Sequence, residues 1–278
     1  MTSSFILSVV TFTYGAAAIL YWATWVFKRP VFGRAATWIS LLAVAGNTVG
    51  ILLRWLESHR MGIGHVPLSN LYESLIFFAW ITMVVYLVTE RQYKVKSLGA
   101  FTASLAFLAM AYASLSPDVN DRIQPLIPAL KSNWLTAHVV TCFLGYAAFA
   151  AAFGLGAMYL LKTRKGKVPG PIMSRLPEPV VIDELLYQNI LLGFLFLSAG
   201  IITGAVWANT AWGHYWSWDP KETWSLVTWL VYAGLIHARM VRGWHGRATA
   251  IFSILGFLCV LFTWFGVNLL AGLHSYAT

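Results

Sequence analysis

Charge is what this chain has least of: Asp, Glu, Lys and Arg together supply 10% of its 278 residues, while 59% are apolar. A water-soluble globule of that length would need far more charged surface to cover its core, so the bilayer has to be the solvent for most of the chain. Cysteine is nearly as scarce. Cys142 and Cys259 each fall inside an apolar run with no CxxC spacing, which indicates neither a redox pair nor a zinc site and leaves packing as their role. The opening MTSSFILSVVTFTYGAAAILYWATWVF lacks both a basic start and a small-residue cleavage site. Its apolar run exceeds signal-core length, so it reads as a retained first span. Solenoid-length repeats, low-complexity tracts and soluble modules are also lacking, and a single membrane domain over 1–278 is expected.

Acidic residues are few as well, 10 against 19 basic ones, giving a net charge of +9. An excess of that size can mark a nucleic-acid binder, but here the basic residues sit in short runs between apolar segments. Such a distribution sets orientation in a membrane, and no nucleic-acid partner is expected.

A hydrocarbon core of about 30 Å takes roughly 20 apolar residues per helix. Eight stretches qualify, near 5–27, 35–55, 68–88, 97–115, 134–161, 185–207, 222–241 and 248–271. The expected fold is an all-α polytopic membrane protein of about eight transmembrane helices. Alternate loops hold Lys28, Arg29 and Arg34; Arg91, Lys94 and Lys96; Lys162, Arg164, Lys165, Lys167 and Arg175; and Arg239, Arg242 and Arg247. The positive-inside rule puts those loops in the cytoplasm, or the stroma of a plastid, and both termini on the outer, periplasmic or lumenal, side. The expected membrane is a bacterial cytoplasmic membrane or a thylakoid.

What the chain has in abundance is tryptophan. Trp207, Trp212, Trp216, Trp218, Trp224 and Trp229 fall within the 23 residues WANTAWGHYWSWDPKETWSLVTW, which begin near an outer loop. Single indoles at helix ends form an aromatic belt, but six in one loop and its flanks exceed one. Large flat apolar surfaces with a few N–H donors suit a flat conjugated ligand such as a porphyrin or a quinone. Asp219-Pro220 can begin the seventh helix, with Asp219 as N-cap and Glu222 completing a capping box, so Asp219 has a structural reading beside any role in the site.

Histidine supplies the other half of the pattern. His138 lies near the outer end of the fifth helix and His274 just past the eighth, both at the level of the tryptophan loop. A lone histidine at a helix end is commonly a solvated surface group. Two beside an aromatic platform instead fit axial ligands on the opposite faces of a haem iron. His237 lies within the seventh helix in LVYAGLIHARM, toward the cytoplasmic end. It reads either as a histidine bonded to a neighbouring helix or as a ligand at a second, deeper haem level. His59, His65, His214 and His245 are expected to be solvated loop residues. Glu73, in SNLYES near the outer end of the third helix, reads as a group that binds a partner protein, carries a haem-linked proton, or pairs with Arg54 or Arg60.

The run WGHYWSWDPKETWSLVTWLVYAGLIHARM resembles the WWD signature of the haem-handling proteins of cytochrome c biogenesis, and its extended form is similar to the CcsA (ResC) family of the System II pathway. PLSNLYESLIFFAW, WLTAHVVTCFLGYAAF and WFGVNLLAGLHSYAT extend the likeness over most of the chain after about residue 65. The resemblance implies haem b carried as a transported substrate, a CcsB/ResB-type membrane partner, and apocytochrome c as acceptor, with thiol-reducing proteins acting indirectly. It implies that His138 and His274 ligate an external haem beside a loop formed by Trp207, Trp212, Gly213, Trp216, Trp218, Asp219 and Trp224. His237 would hold an internal haem whose second ligand the partner supplies. The chemistry it implies is joining of CXXCH thiols to the haem vinyl groups, with placement rather than side-chain catalysis as this chain's share. Competing readings are a haem transporter or chaperone without a role in bond formation, an electron-transfer b-type cytochrome, and a lipid-linked glycosyl enzyme; the last would need paired outer carboxylates, which the loop lacks.

Overall fold

Each of the eight hydrophobic stretches overlaps a helix in the computed structural model, which describes residues 2–164 and 170–270, and the last of them is shorter than its expected 248–271, ending at Trp264 before a 3₁₀ turn. The helices are α1 (Ser3–Phe27), α2 (Pro30–Arg60), α3 (Leu71–Tyr93), α4 (Ser97–Leu115), α5 (Asn133–Lys162), α6 (Pro179–Trp212), α7 (Pro220–Arg242) and α8 (Arg247–Trp264). Regular structure among the described residues is otherwise limited to three short 3₁₀ turns. Seven of the eight helices are long and apolar enough to cross a membrane. The exception, α7, opens on Lys221 and Glu222 and ends on Arg239 and Arg242.

Helix boundaries follow from local chemistry. Lys28 ends α1 in the left-handed conformation and Pro30 starts α2, where a missing N–H costs nothing. Asn70 caps α3 by accepting the Glu73 N–H at 2.9 Å, and Ser132 caps α5 by accepting that of Trp134 at 3.2 Å.

The chain packs as two compact units, Met1–Lys131 and Ser132–Thr278. In the first, α1 lies between α2 and α4, and α3 packs on α4 and α2. Its core holds Leu7, Tyr14, Tyr21, Leu75, Ile76, Met83, Tyr86 and Leu98. Arg54 of α2 meets Glu73 of α3 at 2.7 Å with both side chains about fully enclosed, 2% and 1% exposed. The other Glu73 oxygen accepts Ser69 N–H and O–H, each at 2.8 Å, and Arg54 also donates to the Asp121 carbonyl at 2.8 Å. Of the two arginines within reach in the sequence, Arg54 is therefore the partner of Glu73. His65 corrects the expectation of a solvated loop residue. It is buried, and its ring nitrogens face the carbonyls of Val66 and Gln124 at 2.9 and 3.1 Å. The reason is a loop 59 residues further on, which closes over it.

In the second unit α5 lies between α6 and α8, and α7 completes the ring against α8 and α6. Phe149 of α5 and Tyr232 of α7 stack at the centre, ring centroids 3.6 Å apart, among Leu155, Leu197 and Phe257. The closest packing is between α5 and α6, where glycine removes the obstruction: a Cβ on Gly145 would lie 3.1 Å from the Gly193 carbonyl, and one on Gly193 would strike the Phe149 ring. At one end of the bundle Asp183 of α6 takes a bidentate bond from Arg239 of α7, at 3.0 and 2.9 Å, and the Gly246 N–H at 2.8 Å. The opposite end carries the tryptophan loop.

Candidate functional site

α6 stops at Trp212 because Gly213 takes a left-handed φ of 81° and returns its N–H to the Asn209 carbonyl. α7 restarts at Pro220 behind the Asp219 N-cap, with the capping box expected from the sequence fully formed. The loop between is short, so its indoles are held close to the helix ends. Trp216 and Trp218 stand at right angles, centroids 5.7 Å apart and planes at 88°. Trp224, in the first turns of α7, packs on Phe262 of α8 at 4.2 Å, and Thr263 donates to the Trp224 carbonyl. Trp229 lies deeper and donates to Ser198 at 2.8 Å.

The glutamate of the capping box holds more than the cap. One carboxylate oxygen of Glu222 accepts the N–H of Ser217 at 2.7 Å, the Ser217 hydroxyl at 3.1 Å and the N–H of Asp219 at 3.3 Å. Trp218 sits between those two amides at φ 61°, a left-handed conformation that costs a bulky residue about 1–3 kcal/mol. It is 68% exposed, and Tyr215 in the same loop is 60% exposed. Two buried polar atoms at the base of the loop, Trp216 Nε1 and Glu222 Oε1, have no partner among the described residues.

His138 of α5 is fixed on two sides. Nδ1 lies 2.8 Å from the Gly200 carbonyl of α6 and, since a carbonyl can only accept, carries the proton. Nε2 is then the nitrogen that carries the lone pair of the neutral ring, the kind of tautomer setting by hydrogen bond that metal-binding histidines also show. The ring also lies nearly parallel to Trp207, 12° between planes with centroids 6.0 Å apart. Trp207 is 3% exposed and touches Trp212 at 4.9 Å and 64°. Space for the imidazole comes from Gly204, where a Cβ would stand 2.6 Å from His138 Nδ1.

The structure thus joins His138, Trp207 and Trp212 in one contact chain and Trp216, Trp218, Asp219 and Glu222 in another, at the same end of the unit. His237 is elsewhere. It lies near the far end of α7 on an exposed face shared with Leu230, Gly234, Met240 and Val241. His214 is an exposed loop residue. His274 lies outside the described residues; the described chain ends at Leu270, past the end of α8 that meets Trp224. Among the described residues no group of three or more His, Cys, Asp or Glu side chains is placed to hold a metal ion. Gly200, Gly204 and Glu222 had no assigned part in the ligand site from sequence. The signal for the glycines was present, since Gly193, Gly200, Gly204 and Trp207 repeat at spacings that share one helix face.

Comparison with known proteins gives a consistent set of likenesses. Residues 68–274 match the family model described as cytochrome C assembly protein. The cytochrome c biogenesis protein CcsA of Pyropia yezoensis is 39% identical, with 97% of this chain aligned to 96% of that protein. CcsA of Synechocystis sp. is 38% identical over 92% of each, and that of Gloeobacter violaceus 38% over 94% of this chain and 91% of its own. Among solved structures, cytochrome c heme lyase CcmF superposes on 97% of this chain with a TM-score of 0.68 at 17% identity. That is a likeness of fold, and this chain spans about half of that protein, 50% of its length.

Proposed function

The chain belongs to the cytochrome c assembly protein family, with the CcsA proteins of cytochrome c biogenesis, and from that membership we propose that it binds haem at the tryptophan loop and presents it for covalent attachment to apocytochrome c. Haem is substrate here. A CcsB/ResB-type partner shares the work, the loop faces the periplasm or lumen, and haem arrives from the cytoplasmic side past His237.

The observation that carries this reading is the immobilised imidazole of His138 at the edge of an aromatic loop. An axial imidazole plane contains the iron–nitrogen bond and therefore stands perpendicular to the porphyrin. Trp207, within 12° of that imidazole plane, is then also nearly perpendicular to the porphyrin, so its task is to hold the ligand. The faces that meet the macrocycle come from Trp212, Trp216 and Trp218, with Gly213, Asp219 and Trp224 shaping the loop around them. His274 serves as the second axial ligand.

Attachment is an addition: the thiol S–H of each CXXCH cysteine crosses one vinyl group, forming one S–C bond while the proton ends on the other vinyl carbon. No group leaves and no net electron transfer occurs, so fixing the vinyl edge beside the thiols supplies the main advantage through lost encounter entropy. Neither Cys142, buried, nor Cys259 takes part.

The test is the haem absorption spectrum of the protein purified in detergent, with and without the partner, compared across His138→Ala, His274→Ala and His237→Ala. Loss of the low-spin bis-histidine spectrum in either of the first two, restored by free imidazole, is the expected result. Wild-type haem content in all three variants would refute the ligand assignment.

A further inference from the structure

Trp218 is the one bulky residue of the loop held in a left-handed conformation, and the restraint comes from α7. Glu222 Oε2 binds the amides on both sides of it, at 2.7 and 3.3 Å, and the neighbouring Thr223 hydroxyl donates to the Trp218 carbonyl at 3.1 Å. Two consecutive side chains thus hold the Trp216–Ser217 peptide on one side of Trp218 and the Trp218–Asp219 peptide on the other. A capping box alone needs one of these bonds, the glutamate to the N-cap amide. The others bracket a residue whose φ is 61° and whose side chain is 68% exposed.

An ordinary loop would relieve this strain by placing Gly or Asn at position 218. Keeping a tryptophan there has a use if the exposed indole must stand at a set angle. That angle is the right angle to Trp216, which makes two apolar walls of a corner. A rigid plate gains from a corner of fixed angle, whereas a flexible polypeptide can adapt to either wall separately.

We propose that Glu222 is a positioning residue that clamps Trp218 in a strained, outward conformation so that its indole forms, with Trp216, the corner receiving the porphyrin edge. This rests on the haem reading above. Glu222 does not touch haem; it acts through the backbone on either side of Trp218.

Haem titration of the detergent-purified full chain, followed by quenching of tryptophan fluorescence and by absorbance, tests the proposal alongside thermal unfolding. Trp218→Gly should unfold at or above the wild-type temperature, because glycine accepts the left-handed φ, while binding haem about tenfold more weakly, the scale of one lost aromatic contact. Glu222→Ala should weaken haem by a similar factor, and the double variant should be no weaker than the weaker single one. Glu222→Gln, whose carbonyl can accept the same amides, should restore most of the affinity. The proposal is overturned if Trp218→Gly binds haem as wild type does, if the two losses add, or if haem binding holds while only capture of the acceptor polypeptide falls. A wild-type chain that binds no haem removes the functional reading itself, whereas the other outcomes leave that reading standing.

Discussion

An axial imidazole must have the right tautomer and must not rotate, and His138 meets both conditions through α6: the Gly200 carbonyl fixes the proton on Nδ1 and Trp207 lies along the ring. The room for this is created by a missing atom. A methyl group at position 204 would sit 2.6 Å from Nδ1 and 2.8 Å from Cε1 of His138, inside any tolerable contact, so the ring or the helix has to move. Gly204→Ala is therefore expected to cost about 1–3 kcal/mol in thermal stability through overpacking. It should also shift the haem spectrum toward that of His138→Ala although no ligand has been removed; an unchanged spectrum would show that the ring can rotate without losing haem. Part of this was legible from residue types. Histidine and tryptophan by residue type marked candidates for a ligand and a platform, and Asp219 with Glu222 announced the capping box, which is present. The parallel placement of Trp207 was not legible, because it depends on how α5 and α6 face each other. The left-handed Trp218 was not legible either, since a bulky aromatic is the residue least associated with that conformation.

At the level of the helices, hydropathy found every α-helix and misplaced several ends: α8 stops at Trp264, short of the expected 271, while others run longer. α2 continues to Arg60 and α6 runs from Pro179 to Trp212, well past the expected spans, because polar residues at helix ends carry no hydrophobic signal although they remain in the backbone ladder. One such extended end, the start of α6, carries an enclosed charge. Asp183, in the second turn of α6, joins Arg239 of α7 to the start of α8 through the Gly246 N–H, and both partners are largely enclosed, 7% and 13% exposed. Removing one member of such a pair leaves the other charge buried, which costs about 3–5 kcal/mol. Asp183→Ala should lower the unfolding temperature sharply and expose the α7–α8 turn to hydrogen exchange, while His138-dependent haem binding at the other end of the bundle changes less. In the first unit Glu73→Ala strands Arg54 and should cost a similar amount. The double change Arg54→Met with Glu73→Leu should recover most of it, since an apolar pair of like volume needs no hydration. Failure of the double variant to recover would mean that the pair does more than hold α2 to α3.

For the whole molecule, one face has no neighbour among the described residues that accounts for it. α7, less apolar than the seven spanning helices, turns His237 outward, with open Gly234 one turn earlier and Met240, 73% exposed, one turn later. An imidazole facing hydrocarbon is costly, and a glycine with nothing within 4 Å of its Cβ position gives another helix a place for close approach. Both features are reasonable if the CcsB-type partner lays a helix against α7 and brings the second ligand for the internal haem. Gly234→Leu separates this from a role in the fold. In the isolated protein the new side chain meets open space and improves helix propensity, by up to about 1 kcal/mol, so thermal stability and haem bound through His138 should be unchanged or slightly improved. In the complex the same side chain occupies the approach path, so partner co-purification and the His237-dependent share of haem should fall together. If the complex forms normally with leucine at this position, the partner docks elsewhere, and the outward face of α7 would need another polar neighbour to account for His237.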